Sequence, residues 1–269
     1  YIFAFGGMIL GYTMRWIASE RIPISNGHES LLFISIAVAL AGLIFEFVYR
    51  QGFPGALGGL LTVIVLGVSM LSTFDPAIGP LVPVLVSYWL NIHVTIITSS
   101  YGFLGLAALI GALTLILYMT KAPGRENVKQ AIKTLDSINY NVMVAGLGLL
   151  TIGTLLGGVW ANESWGRYWG WDAKETWSLV TILVYATVLH FRFIPKMKSA
   201  WLTAALSTAA IGSVIMTYFG VNYFLTGLHS YASGDAAQVP DWVFIGTGIV
   251  LALILVSGLV SRAKTWDRT

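Results

Sequence analysis

The side chains able to do chemistry in this sequence are few and unevenly spread. There are four histidines, His28, His93, His190 and His229, and no cysteine. Without thiols the chain forms no disulfide, thiolate zinc site or iron–sulfur cluster and offers no cysteine nucleophile. Neutral imidazole is then the natural metal ligand. The densest signal is Trp160-Ala-Asn-Glu-Ser-Trp165-Gly-Arg-Tyr-Trp169-Gly-Trp171-Asp-Ala-Lys-Glu175-Thr-Trp177, where five of the ten tryptophans fall within 18 residues. A membrane-interface belt gathers Trp and Tyr, but it has no use for glycines at 166 and 170 or charges at Arg167, Asp172, Lys174 and Glu175. Glycines let flat rings lie close to the backbone. Indole faces give a wide apolar platform whose N–H groups still reach polar partners. Such a surface suits a flat, amphipathic, anionic macrocycle, namely haem, with Arg167 near its propionates. Asp172 and Glu175 are also placed to cap the helix that follows.

The elements that position these residues must lie in lipid. Of 269 residues, 57% are hydrophobic and only 10% charged, against about 25% charged in a soluble domain, and the mean hydropathy is +0.78. The net charge of +3 is too small to argue for nucleic acid. About 20 apolar residues cross a bilayer as a helix. That ruler predicts an all-α, polytopic bundle with eight spans over 1–18, 29–49, 55–72, 90–120, 139–160, 175–195, 199–223 and 241–261, forming one transmembrane domain over 1–269. Asn26-Gly-His-Glu29 reads as a capping box, and Gly52-Phe-Pro54 and Ala122-Pro-Gly124 read as turns. Residues 126–137 are expected to form a short interfacial helix. Tyr1 sits directly in an apolar run, so the chain is expected to be processed or part of something longer.

Basic residues set the sidedness. Arg50, Lys121, Arg125, Lys129, Lys133, Arg192, Lys196, Lys198, Arg262, Lys264 and Arg268, 11 of the 15 Lys and Arg, fall on one side. Positive-inside bias makes that side cytoplasmic, with both termini there. The Trp-rich loop, His28, His93 and His229 then lie on the outer side. His190 lies inside span six, roughly 22 Å below its outer end at 1.5 Å per residue. An intramembrane ionisable group usually has a partner or ligand; the plainer reading is a neutral ring snorkelling toward Arg192. His93 and His229, on one face beside an aromatic loop, are placed to offer imidazole nitrogens to a metal from opposite sides.

The run Trp165-Gly-x-x-Trp169-Gly-Trp171-Asp172-x-x-Glu175 closely resembles the tryptophan-rich WWD signature of haem-handling proteins of cytochrome c biogenesis. One outer histidine precedes the motif, one membrane histidine follows it, and an outer histidine comes last. With eight spans, the chain resembles the CcsA (ResC) family of the system II pathway, or the CcsA half of a fused CcsBA protein. Pro23-x-Ser25-Asn26…Glu29-Ser30 is similar to that family's segment before span two. The resemblance implies haem b as cargo, His93 and His229 as axial ligands of an outer site, and His190 as a ligand of an inner site. Its second inner ligand is implied to come from CcsB (ResB). The loop 161–177, with Trp165, Arg167, Trp169, Trp171 and Asp172, is implied to hold the macrocycle.

The implied activity is that of a cytochrome c synthase, or haem lyase, acting with CcsB/ResB. It presents haem vinyls to the CxxCH cysteines of an apocytochrome c. Having no cysteine, the chain needs a separate thioredoxin-like reductant for those thiols. The implied setting is the bacterial cytoplasmic membrane with the site facing outward, or the thylakoid membrane in a plastid. His28 is read as a local loop residue. Rival readings are a system I relative of the CcmC or CcmF kind, a respiratory membrane subunit with b-type haems, a non-haem metal site of His93, His229, Asp172 and Glu175, and a plain transporter with an aromatic belt.

Overall fold

The computed structural model describes residues 1–71, 74–80, 85–225, 227 and 239–264. They form helices α1 (Ile2–Ser19), α2 (Gly27–Tyr49), α3 (Phe53–Ser69), α4 (Tyr88–Met119), α5 (Glu126–Trp165), α6 (Ala173–His190), α7 (Ala200–Ile215), α8 (Val221–Phe224) and α9 (Asp241–Ala263). A π turn over Met216–Gly220 joins α7 to α8. No strand occurs among the described residues. Among the described residues, six helical segments are long and apolar enough to cross a membrane, fewer than the eight expected, and α3 is a shorter apolar helix of 17 residues. The chain is a polytopic helical membrane protein, as its composition requires.

Two compact units are present, residues 1–106 with 145–170 and residues 107–144 with 171–269. In the first, Asn26 caps α2 as expected, its Oδ1 accepting from the Glu29 amide at 2.8 Å. The rest of the anticipated capping box is absent, because the Glu29 carboxylate is used elsewhere. It is fully buried, accepts from the Ser25 amide at 2.9 Å, and pairs with Arg15 at 3.0 Å and Arg21 at 2.8 Å. One acid thus ties α1 and the α1–α2 connection to α2. His28, expected in a loop, lies in the first turn of α2, where its Nδ1 meets the Ser69 carbonyl at 2.8 Å and closes the end of α3.

The α2–α3 hairpin is held by absence of side chains. A Cβ built on Gly58 would stand 2.8 Å from the Gly42 Cα, so the two helices approach to backbone contact. In a bilayer, where lipid tails are as apolar as leucine, such small-residue packing replaces hydrophobic drive. Glu46 accepts from the amides of Gly52 and Gly55 at 2.8 and 3.2 Å. It thereby satisfies donors at the start of α3 that Gly52 cannot cap.

α5 departs from the sequence expectation. The expected interfacial helix over 126–137 and the fifth span are a single helix of 40 residues, about 60 Å long at 1.5 Å per residue. No glycine or proline stands between Glu126 and Gly146, so nothing in the backbone interrupts it; the polarity of its first turns changes only its surroundings.

In the second unit, small and hydroxyl residues line the helix contacts. A Cβ on Gly111 would meet Ser207, Thr208 and the Ala204 carbonyl, and Asn139 Nδ2 donates to Ser207 Oγ at 2.8 Å. Thr181 and Thr217 hydroxyls share a 2.8 Å hydrogen bond between α6 and the π turn. Trp201 Nε1 donates to Ser257 Oγ at 3.1 Å, joining α7 to α9. At the ends of α4 and α9, Lys121 Nζ reaches the Ser261 carbonyl and Lys264 Nζ the Met119 carbonyl, at 3.0 and 3.1 Å.

Removing the buried acid leaves two arginines facing each other without a counter-charge. Glu29→Ala is expected to cost about 3 kcal/mol of stability, read as a lower thermal midpoint of the detergent-purified protein. An unchanged midpoint would rule out the Glu29 tie as a support of the α1–α2 packing.

Candidate functional site

His93 lies in the second turn of α4, half-buried against α5. Its Nδ1 meets the Gly153 carbonyl at 2.7 Å. A carbonyl only accepts, so Nδ1 carries the proton and the lone pair of the neutral ring is on Nε2. This is the arrangement in which an imidazole coordinates a metal through one nitrogen while the other is fixed by a backbone oxygen. The ring lies parallel to Trp160, centroids 6.3 Å apart and planes 8° apart. Trp160 in turn takes Trp165 edge-on at 4.8 Å.

Glycines of α5 make this geometry available. A Cβ on Gly153 would stand 2.9 Å from Ile97 Cβ, and one on Gly157 would stand 2.7 Å from His93 Cε1. Gly146 likewise faces Leu104. Spacings of seven and four place all three on one helix face, along which α4 runs antiparallel. The sequence reading missed these positions, although Gly153-x-x-x-Gly157 is the small-residue spacing expected of a close membrane helix pair. It also missed Trp160 as the partner of His93.

The tryptophan loop is shorter than the expected 161–177. Ala161–Trp165 complete α5, and residues from Ala173 onward begin α6, leaving 166–172 as the connection. Gly166 turns the chain with φ 71°. Gly158 allows the Tyr168 carbonyl to lie against α5, 3.0 Å from where its Cβ would be. The Arg167 guanidinium occupies the position that a Cβ on Gly170 would take, so it is folded back over its own loop. Ser87 Oγ donates to Glu163 Oε2 at 2.6 Å, fastening the segment before α4 to the end of α5. Trp169 is half-buried.

In the second unit, Trp171 has φ 57° and is 72% exposed. A tryptophan in the left-handed region is an outlier, of the kind that collects at functional sites. Asp172 and Glu175 form the expected cap of α6. Asp172 Oδ2 accepts from the Lys174 amide and Glu175 Oε2 from the Asp172 amide, both at 3.2 Å. Lys174 Nζ donates to Asn222 Oδ1 at 2.9 Å and lies 5.6 Å over the Tyr218 ring. A Cβ on Gly227 would meet the Asp172 carboxylate, so the chain after α8 returns to the motif. His229 lies outside the described residues.

His190 is the last residue of α6 and is exposed. Its Nδ1 meets the Ala186 carbonyl at 2.7 Å, and its edge faces Phe193 at 6.0 Å. Here too the lone pair falls on Nε2. Among the described residues, no group of three His, Asp or Glu stands together as a metal cage.

Fold and site together define a multi-pass helical membrane protein whose imidazole–tryptophan cluster sits where two long helices end. A family model described as "Cytochrome C assembly protein" matches residues 24–229, and the chain belongs to that family. Over 227 residues it is 46% identical to Protein NrfI of Wolinella succinogenes, covering 84% of this chain and 25% of that protein. It is 37% identical over 231 residues to the cytochrome c biogenesis protein CcsA of Chlamydomonas reinhardtii, covering 83% of this chain and 65% of that protein. With CcsA of Guillardia theta it shares 36% identity over 250 residues, covering 83% and 80%. The chain therefore spans a quarter of the length of NrfI and 65% of that of the Chlamydomonas protein.

Gly157→Ala forces the His93 ring off the Gly153 carbonyl, whereas a Cβ at Gly148 on the same helix meets nothing within 4 Å. Cytochrome c accumulation in cells relying on this protein is expected to fall about tenfold or more in Gly157→Ala and to hold in Gly148→Ala. Equal accumulation in both would remove the positioning role of Gly157.

Proposed function

We propose that this protein is a haem-handling component of cytochrome c maturation, acting as a haem lyase together with a CcsB/ResB-type partner, fused or separate. The observation that carries the reading is His93. Its Nδ1 proton goes to the Gly153 carbonyl and its ring lies parallel to Trp160, so the lone pair of the neutral ring is on Nε2, in a residue next to the tryptophan motif. In a chain of the cytochrome c assembly family, iron of haem b is the fitting electrophile for that nitrogen.

His229 is the proposed second axial ligand of this outer site. Trp165, Arg167, Trp169, Trp171 and Asp172 are assigned to the cradle of the macrocycle, and His190 to an inner site on the way to it. The basic loops favour an outer site facing the periplasm, the cell exterior or the thylakoid lumen.

The chemistry asked of the protein is positioning. Each haem vinyl accepts one cysteine of an apocytochrome CxxCH segment. A carbon–sulfur bond forms, the thiol proton passes to the neighbouring vinyl carbon, and no net oxidation occurs. The thiols must arrive reduced, and a thioredoxin-like protein is the proposed donor. Two axial imidazoles keep iron ligated while the edge of the macrocycle is offered to the peptide.

Wild type purified with its partner is expected to carry b-type haem in pyridine-haem and absorbance spectra. His93→Ala and His229→Ala are expected to change that spectrum and lower cytochrome c yield, with excess imidazole restoring part of both. His190→Ala is expected to reduce total haem while the outer-site spectrum persists. Full and equal occupancy in all three variants would sink the ligand assignments.

A further inference from the structure

Arg192 follows α6 in the short helical turn Phe191–Phe193, two residues beyond His190. Its guanidinium lies 4.6 Å over the ring of Tyr140 on α5, a cation–π contact that fixes its plane. The nearest acid is Asp136, one turn before Tyr140, yet Arg192 Nη1 and Asp136 Oδ2 stand 3.8 Å apart. That exceeds hydrogen-bond range. Arg192 Nη1 and Asp136 Oδ1 are both buried and make no hydrogen bond, and neither does the buried Oδ1 of Asn139 on the same face of α5. Asn139 instead gives its amide nitrogen to Ser207 Oγ at 2.8 Å.

An arginine this close to an acid normally closes a bidentate pair. Here stacking on Tyr140 holds the donor edge while the resident carboxylate stays short of it. A buried donor left so is costly unless something occupies it for part of its working cycle. We infer that Arg192 is a receptor for an oxyanion, a carboxylate of the haem cargo, for which Asp136 is the resident stand-in that gives way when cargo arrives. The inference rests on haem being the cargo.

The two possible roles of Asp136 differ in sign. A structural ion pair makes Arg192→Gln and Asp136→Asn equally harmful. A stand-in makes them opposite, since removing the competitor frees the receptor. The test is equilibrium titration of the full-length protein, in neutral detergent, with haem and with haem dimethyl ester, whose propionates are masked. Wild type is expected to prefer haem about tenfold. Arg192→Gln is expected to lose that preference by weakening haem alone, Arg192→Lys to keep part of it, and Asp136→Asn to tighten haem several-fold without affecting the ester.

Equal binding of haem and ester by wild type would overturn the inference and leave the proposed function standing. Binding of neither would count against the haem reading itself. Weaker haem binding in Asp136→Asn would return the pair to a structural role. Sensitivity to added phosphatidylglycerol without any effect of esterification would assign the oxyanion to a lipid headgroup and also overturn it. Should the variants fail to fold, the wild-type comparison still decides.

Discussion

The close approach of α4 to α5 is the constraint on which the placement of His93 depends. A helical carbonyl already accepts from the amide four residues on, so the Gly153 carbonyl belongs first to α5 itself. It takes a second donor, His93, because Gly157 has no side chain to cover it and Gly153 none to hold α4 away. Bulk at either position would separate the helices and leave an imidazole N–H buried without its acceptor. The tautomer of His93 is therefore written in two glycines 60 and 64 residues away.

The loop that follows uses its residues more than once. Gly158 and Gly170 give room to the Tyr168 carbonyl and the Arg167 guanidinium. Asp172 caps α6 while lying against Gly227. Lys174 is a helix residue and also the link to Asn222 and Tyr218. Charges that would be expensive in a membrane are accounted for by neighbours, the Arg192–Asp136 pair being the most loosely closed of the ion pairs described above. At the other end of the scale, Glu29 is the most completely engaged acid described, with two arginines and an amide on one carboxylate.

Much of this architecture was legible in the sequence. Hydropathy located the helices, although six described segments rather than the expected eight are long and apolar enough to span, α1 and α3 falling short; local chemistry located the caps at Asn26 and at Asp172 with Glu175, because these signals lie within a few adjacent residues. The continuity of α5 was not legible. A change of polarity near residue 137 looks like the end of an element, although polarity alone does not end a helix. Glu29 was read as a cap residue because sequence shows neighbours in the chain and not the arginines that fold onto it. For the same reason His93 was found by type and position, while Trp160 and the glycines that orient it were not. His190 was expected inside a span but is the last residue of α6, a place that depends on where the helix stops.

The π turn carries a consequence of its own. Thr217 and Asn222 both face α6, one bonded to Thr181 and the Trp177 carbonyl, the other to Lys174. They are five residues apart, and at 3.6 residues per turn such a pair points about 140° apart. The i→i+5 spacing of a π turn brings them back into line, as Lys174 and Thr181, seven apart, are aligned by the ordinary α repeat. The segment works like a vernier: two scales of different pitch coincide only because one extra division has been inserted. Any relative that closed this turn to regular α geometry would rotate α8 beyond it by about a quarter of a revolution.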